Sequence, residues 1–324
     1  MRAWYLSEDA DHPEMTSVDE SSLPDGEVTI AVTHSSINYK DALALLGKAP
    51  IARKKPMVLG IDAAGTVLSD TTGTLTAGTP VVVNGGGLSE TRWGGYAERI
   101  VVPADLVIPL PGRFSPADAM AIGTAGYTAA LCVSALEEAG VKPEDGTVLV
   151  TGATGGVGSV AVSLLSKKGF AVAAATGRTD ERDYLVDLGA KEIVDRSELQ
   201  GKLRPLGKQR WAAAVDVVGG TVLANVLSMM NYGGKVAATG LAGGMDLPAS
   251  VAPFILRGVH LLGVDSVQAP REKRESSWRL LEEVLPPEHL KHIASTVSLA
   301  EVKDTAAKLL DGKIKGRVVV SVAA

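Results

Sequence analysis

Val148–Gly158 reads VLVTGATGGVG. It joins an apolar run (Val148, Leu149, Val150), a glycine turn (Gly152, Gly155, Gly156, Gly158) and, from Ser159, a run with helical spacing. A strand that passes through a glycine turn into a helix leaves unpaired N–H groups at the helix N-terminus, where the peptide dipoles concentrate positive charge. That end is a seat for a pyrophosphate, and glycine lets the backbone approach where a Cβ would block it. The spacing is GxxGxxG rather than GxGxxG, so the flanks carry as much of the reading as the motif.

Downstream, strands and helices alternate. The pattern predicts strands at 147–151, 170–176, 192–195, 213–218, 234–240 and 259–265, with helices at 158–168, 180–188 and 221–230. Alternation of this kind implies a parallel, doubly wound sheet of the α/β class that binds dinucleotides. In such a sheet the end of the second strand chooses between cofactors, because a carboxylate there accepts from a ribose 2′-OH. Here that end reads Ala175-Thr176-Gly177-Arg178, with no carboxylate before Asp180. An arginine clamps a 2′-phosphate and a carboxylate repels it, so Thr176, Gly177 and Arg178 point to NADPH, with Arg196 after the third strand placed to assist. Thr154, Gly155, Gly156, Val157 and Gly158 form the arc expected to face the phosphates.

Upstream the texture differs. Arg2–Leu6, the alternating EVTIAVT of Glu27–Thr33, Val58–Val67 (strand, glycine bend, strand), Pro80–Asn84 and Gly94–Val102 are short strands separated by glycine turns. With a short helix at Ala42–Leu46, they predict a small irregular β-barrel. A helix start follows at Ser115-Pro116. After residue 266 come a charged helix (Glu272–Val284), the break Pro286-Pro287, a helix over Ala300–Asp311 and a closing strand, Arg317–Val322. The expected organisation is residues 1–118 as the first part of a barrel domain, 119–265 as the nucleotide-binding domain, and 266–324 as a return segment that completes the first.

Composition excludes several classes. The chain of 324 residues is 46% hydrophobic and 21% charged with a net charge of −5, which argues against a nucleic-acid or membrane-surface footprint. No window of about 18 apolar residues free of charge is evident, and the polar, acidic N-terminus does not read as a signal peptide, so no membrane span is expected and the expected location is the cytoplasm. One cysteine, Cys132, permits neither an internal disulfide nor a cysteine-based zinc site. Cys132 itself reads as a buried small side chain, and the five histidines lack ligand spacing.

SINYKDA (35–41), GIDAAGTV (60–67), WGGYAE (93–98), IGTAGYTA (122–129) and VTGATGGVG (150–158) resemble the medium-chain dehydrogenase/reductase superfamily. NYGGKVAATGLAGG (231–244), PFILRGVHLLGVDS (253–266) and GRVVV (316–320) resemble its zinc-free quinone-oxidoreductase branch, and within it the NADPH-dependent acrylyl-CoA reductases, or YhdH-type quinone oxidoreductases. The likeness runs over essentially the whole chain. It implies a GroES-like catalytic barrel, a Rossmann domain, a cleft between them and a homodimer. Zinc-dependent members carry Gly-His-Glu where this chain has Gly60-Ile61-Asp62, and the cysteine cluster that follows there is missing, so no metal is expected.

The resemblance places Asn38 and Tyr39 at the nicotinamide, with Tyr39 orienting it and donating a hydrogen bond or proton, and Asp41 holding the loop. It places Leu241, Ile255 and Ser266 facing the cofactor, and Arg317 reaching back toward it. Coenzyme A is rich in phosphate, so a cationic mouth is expected, and Arg53, Lys54, Lys55 and Arg92 are the basic residues offered for it. The implied reaction is reduction of acryloyl-CoA to propanoyl-CoA by hydride transfer to the β-carbon, without a metal. The alternatives are a quinone or α,β-unsaturated ketone reductase and a non-catalytic NADPH-binding sensor.

Overall fold

Strand Val28–Ile37 shows how the first half of the chain is built. Val28, Ile30 and Val32 are buried while Thr29, Ala31 and Thr33 are half-exposed, the period-2 pattern of a strand with one face on a core. The alternation ends at His34, and Ser35 and Ser36 are fully buried instead. Buried hydroxyls need polar partners, so the strand itself marks where an apolar core gives way to a polar cluster.

The computed structural model describes residues 1–322; Ala323 and Ala324, at the end of the expected return segment, lie outside the described residues. In chain order the elements are β1 (Arg2–Leu6), β2 (Glu14–Ser17), β3 (Val28–Ile37), α1 (Tyr39–Leu45), β4 (Met57–Val58), β5 (Asp62–Asp70), β6 (Pro80–Asn84), β7 (Arg99–Val102), β8 (Ile108–Pro109) and α2 (Pro116–Glu138). There follow β9 (Val148–Val150), α3 (Gly156–Lys167), β10 (Val172–Thr176), α4 (Arg182–Asp187), β11 (Glu192–Asp195), β12 (Trp211–Asp216), α5 (Gly220–Ser228), β13 (Met230–Ala238), α6 (Ala252–Arg257) and β14 (His260–Gly263). The chain closes with α7 (Arg271–Val284), α8 (Pro287–Ile293), β15 (Ala294–Ser298), α9 (Val302–Leu310) and β16 (Arg317–Ser321).

Two compact units result. Among the described residues the first comprises 1–127, 266–282 and 293–322, the second Thr128–Asp265 and Glu283–His292. In the first, a sheet ordered β15-β16-β3-β5-β6-β8, with β7 also on β3, is joined by a three-stranded sheet β2-β1-β4. β16, from the end of the chain, pairs antiparallel with β3 through Val318↔Ile37 and Val319↔Ser36. That pairing brings Arg317 to the buried serines of β3.

In the second unit all six strands are parallel, in the order β11-β10-β9-β12-β13-β14. The order reverses between β9 and β12, and right-handed crossovers on either side of a reversal cover opposite faces. This is why β9, β10 and β12 are buried along their whole length and read as continuous Val and Ala runs.

Several expectations are adjusted. α1 begins at Tyr39 rather than Ala42, because Asp41 accepts the Asn38 N–H (2.9 Å) and starts the helix earlier. Only Arg99–Val102 of the Gly94–Val102 stretch is a strand. Gly94, Gly95 and Tyr96 instead donate backbone bonds to Val58, Gly60 and Leu59 as an irregular lining. The sequence pattern carries no expectation of β2, β8, α6, α8 or β15, and Pro287 is the first residue of α8 rather than part of a break, where a missing N–H costs nothing. The uncharged stretch of α2 does reach membrane-spanning length, correcting the sequence reading, but 83% of that window is buried inside the protein.

Candidate functional site

The polar cluster of the first unit is built on Asp62, the first residue of β5, which is completely buried. One carboxylate oxygen accepts from Ser36 Oγ (2.5 Å), Asn38 Nδ2 (2.8 Å) and the Thr124 N–H (2.9 Å). The other accepts from Asn84 Nδ2 (2.7 Å) and Thr124 Oγ1 (2.6 Å). Its counter-charge is Arg317, 3.8 Å away and 3% exposed.

Arg317 donates to Asn38 Oδ1 (2.9 Å), Ser36 Oγ (2.7 Å), Ile37 O and Ala121 O. Burial pulls its guanidinium below the ordinary value while Asp62 and Asp41 oppose the shift. A guanidinium keeps its proton even so.

Gly123 makes room for this arrangement. It breaks the helical path of α2 with φ 52° and ψ −166°, and a Cβ there would lie 2.2 Å from Arg317 Nη2 and 2.9 Å from Asp62 Oδ2. The backbone swerves so that the Thr124 N–H can meet Asp62.

Asp41 is the second buried carboxylate. Besides the Asn38 N–H it accepts from Asn38 Nδ2 (3.1 Å) and the Ile61 N–H (2.9 Å). Burial, then the Asp62 charge, raises it from its ordinary 3.8 to about 7, against the pull of those donors. Tyr96, raised well above 10 first by burial, stays protonated and donates to Ser36 O (3.0 Å). Tyr39, one residue past Asn38, is 47% exposed, so this buried scaffold ends in a half-exposed tyrosine.

The nucleotide signature of the second unit is equally concrete. Gly155 caps α3 and Gly156 opens it. A Cβ on Gly158 would lie 2.4 Å from Gly152 O, so the helix start presses against the strand turn and the N–H groups of the arc, including that of Val157, sit at the helix N-terminus. Asp216, buried at the end of β12, accepts from Thr151 Oγ1 (2.7 Å) and the Gly219 N–H (2.7 Å), fixing β9 against β12 at the order reversal. Burial raises its carboxyl. At the end of β10, Arg178 donates to Thr154 Oγ1 (2.8 Å), and Thr154 meets Thr176 (3.2 Å). A Cβ on Gly177 would lie 2.9 Å from Arg196 Cζ. Two guanidinium groups therefore flank the strand end, with the glycine arc alongside.

The remaining candidates are dispersed. Leu241 and Ile255 are 57% and 73% exposed in the second unit, and Ser266 lies in the first, its carbonyl facing Gly85. Arg53 pairs with Glu90 (3.6 Å), which also holds Lys40 of α1 (2.7 Å). Lys54, Lys55 and Arg92 line a cavity of about 530 Å³ together with Trp93, Asp25 and Glu27. Burial pushes the Cys132 thiol up to about 12, so it is no nucleophile at neutral pH. Sequence reasoning overlooked Asp62, Asn84, Thr124 and Asp216 as members of polar sites. For Asp62 and Asp216 the available signal was a carboxylate inside an apolar stretch, which a fold buries only with partners; Asn84 and Thr124 carried no such signal.

A β-barrel unit with a buried polar cluster and a phosphate-cradling parallel sheet define a nucleotide-dependent dehydrogenase. Residues 24–112 match the alcohol dehydrogenase GroES-like domain and residues 156–283 the zinc-binding dehydrogenase domain. The chain belongs to this family, the medium-chain dehydrogenase/reductases. It is 50% identical to the probable acrylyl-CoA reductase AcuI of Escherichia coli (strain K12) over 94% of both chains. It is 48% identical to the acrylyl-CoA reductase AcuI of Ruegeria pomeroyi over 93% of this chain and 92% of that one. The crystal structure of the yhdH oxidoreductase from Salmonella enterica in complex with NADP superposes with a TM-score of 0.96 at 48% identity, covering 99% of each chain.

The zinc in the family's description does not fit here. Among the described residues no group of three or more His, Cys, Asp or Glu side chains could hold a metal ion, and both oxygens of Asp62 are already taken by protein donors.

Proposed function

We propose that this protein reduces the carbon–carbon double bond of acryloyl-CoA to propanoyl-CoA with NADPH. The observation that carries the reading is the identity of about one half to acrylyl-CoA reductases along nearly the whole of each chain. The geometry supports it: Arg178 and Arg196, with no carboxylate between Thr176 and Arg178, suit a 2′-phosphate, and the arc from Thr154 to Gly158 suits the pyrophosphate.

NADPH held at the glycine arc would supply a hydride to the β-carbon, and a proton drawn from water would complete the reduction at the α-carbon. This chain's part is to hold and polarise. Tyr39 is the half-exposed tyrosine at the end of the buried scaffold, and a donor aimed at the thioester oxygen stabilises the charge that develops there. Lys54, Lys55 and Arg92 suit the phosphates of coenzyme A, with Arg53 beside them in sequence. The protein acts in the cytoplasm as a homodimer, and the support for the dimer is β14, an edge strand whose Leu261 is exposed.

Steady-state kinetics with NADPH tests the assignment. The kcat/KM for acryloyl-CoA should exceed that for a simple quinone by at least about tenfold, a gap worth ~1.4 kcal/mol. A ratio of one or less moves the protein to the quinone reductases, and NADPH binding without turnover of any activated alkene makes it a sensor.

A further inference from the structure

We propose that the buried Asp62–Arg317 pair is a positioning device for the proposed reaction: it locks the Asn38 carboxamide in one orientation and thereby fixes the start of α1, where Tyr39 stands. The idea rests on the reading of Tyr39 given above.

Asn38 is held at both ends of its amide by groups of opposite charge. Its NH2 faces Asp62 (2.8 Å) and Asp41 (3.1 Å), and its oxygen faces the Arg317 guanidinium (2.9 Å). A flip would set the oxygen against two carboxylates and the NH2 against a cation, so electrostatics forbids the alternative. The amide has little left to give a ligand. Its donors meet Ser36, Asp41 and Asp62, and the residue is 8% exposed. The Arg317 guanidinium likewise donates to Ser36, Ile37, Asn38 and Ala121. Neither residue is a catalytic residue in the sense of touching substrate or cofactor; both act through their neighbour.

The charge is used for geometry rather than for bulk stability. A buried ion pair is a weak source of net stability, because desolvation cancels most of the attraction. What it supplies is direction. The fork of a guanidinium meets Asn38 and Ser36 at once, which a point charge such as lysine cannot do. Asp62 in turn reaches Asn84 and Thr124, so Asn38 is referred to β6 and to the kink of α2 as well as to its own loop.

The test compares two full-length variants with wild type: Arg317→Lys, and the neutral double variant Asp62→Asn/Arg317→Gln. Four quantities are measured: Tm, the Kd for NADPH by fluorescence, kcat with acryloyl-CoA, and hydrogen exchange of the segment 36–45. The neutral pair should stay folded with a lowered Tm, because an amide at position 62 turns its NH2 toward donors that the carboxylate accepted, and should keep Kd within about threefold. Exchange in 36–45 should rise at least tenfold and kcat fall at least tenfold.

Recovery of wild-type kcat and exchange in the neutral pair overturns the proposal. A Kd weakened in step with kcat also overturns it, because that makes Arg317 a cofactor ligand. If the double variant does not fold, Arg317→Lys is judged by the same criteria. Hydrogen exchange does not depend on the substrate assignment. Faster exchange in a protein whose wild type ignores acryloyl-CoA keeps the positioning role and removes the substrate reading, whereas unchanged exchange in an active enzyme does the reverse.

Discussion

Asn38, Tyr39 and Asp41 are adjacent in sequence yet face different physical demands. Tyr39 is half-exposed, and Tyr39→Phe should lower kcat with acryloyl-CoA by about a hundredfold, leaving the KM for NADPH within threefold; a kcat near wild type removes Tyr39 as the donor. Arg178→Ala should raise the KM for NADPH by at least tenfold and leave that for NADH unchanged, whereas equal losses for both would show that Arg178 does not read the 2′-phosphate. Asp41 carries a pH signature. Its folded value, about 7, lies above its ordinary 3.8, so folding retains a proton that the unfolded chain has released. The associated stability is fully present below pH ~4 and is lost as the pH rises through about 7. The groups facing it are Asp62, Tyr96 and Arg317, with Asn38 and Ile61 as neutral donors. Wild-type Tm should therefore fall between roughly pH 4 and 7 and level off above, and Asp41→Asn, less stable at pH 6, should lose that slope. An unchanged slope in the variant would assign the titration to another group.

At the scale of elements, the parallel sheet was legible because its strands are buried on both faces and so announce themselves as apolar runs between turns. VLV, VAAAT and WAAAVD need no partner information. β2 and β15 were not legible, because EMTS is exposed throughout and ASTVS has no buried residue, so neither carries a periodic apolar signal. The site divides in the same way. SINYKDA placed Asn38, Tyr39 and Asp41 together as neighbours in the chain, but the Arg317 that fixes Asn38 is 279 residues away and meets it only through the β3–β16 pairing. Gly123 shows how such long-range demands return to local backbone. Its φ of 52° belongs to glycine and its missing Cβ leaves space for Arg317. Gly123→Ala should cost about 3 kcal/mol or more and lower Tm by at least ~5 °C. A Tm within a degree of wild type would mean that the α2 kink relaxes without loss.

For the molecule as a whole, the open question is what covers the edge of the six-stranded sheet. β14 pairs on one side with β13, through Val236↔Leu261 and Ala237↔Leu262, and ends the sheet on the other. An apolar edge with unpaired backbone groups recruits another strand unless charge, proline or a covering segment blunts it. β14 reads HLLG, with neither lysine nor proline, and the nearby α6 leaves Ile255 and Leu256 exposed. A second copy of the same strand, related by a two-fold axis as in the proposed dimer, would satisfy both the hydrogen bonds and the apolar side chains, because a two-fold interface must be self-complementary. The protein should then sediment at twice its 33.4 kDa chain mass. Leu261→Lys, which sets two like charges near each other across the axis, should shift it toward the monomer while leaving Asp62, Arg317 and the first unit untouched. The shift should weaken with salt, as repulsion between exposed charges does. A wild type that sediments as a single chain at micromolar concentration, or a variant that stays dimeric at low salt, would place the interface elsewhere or remove it.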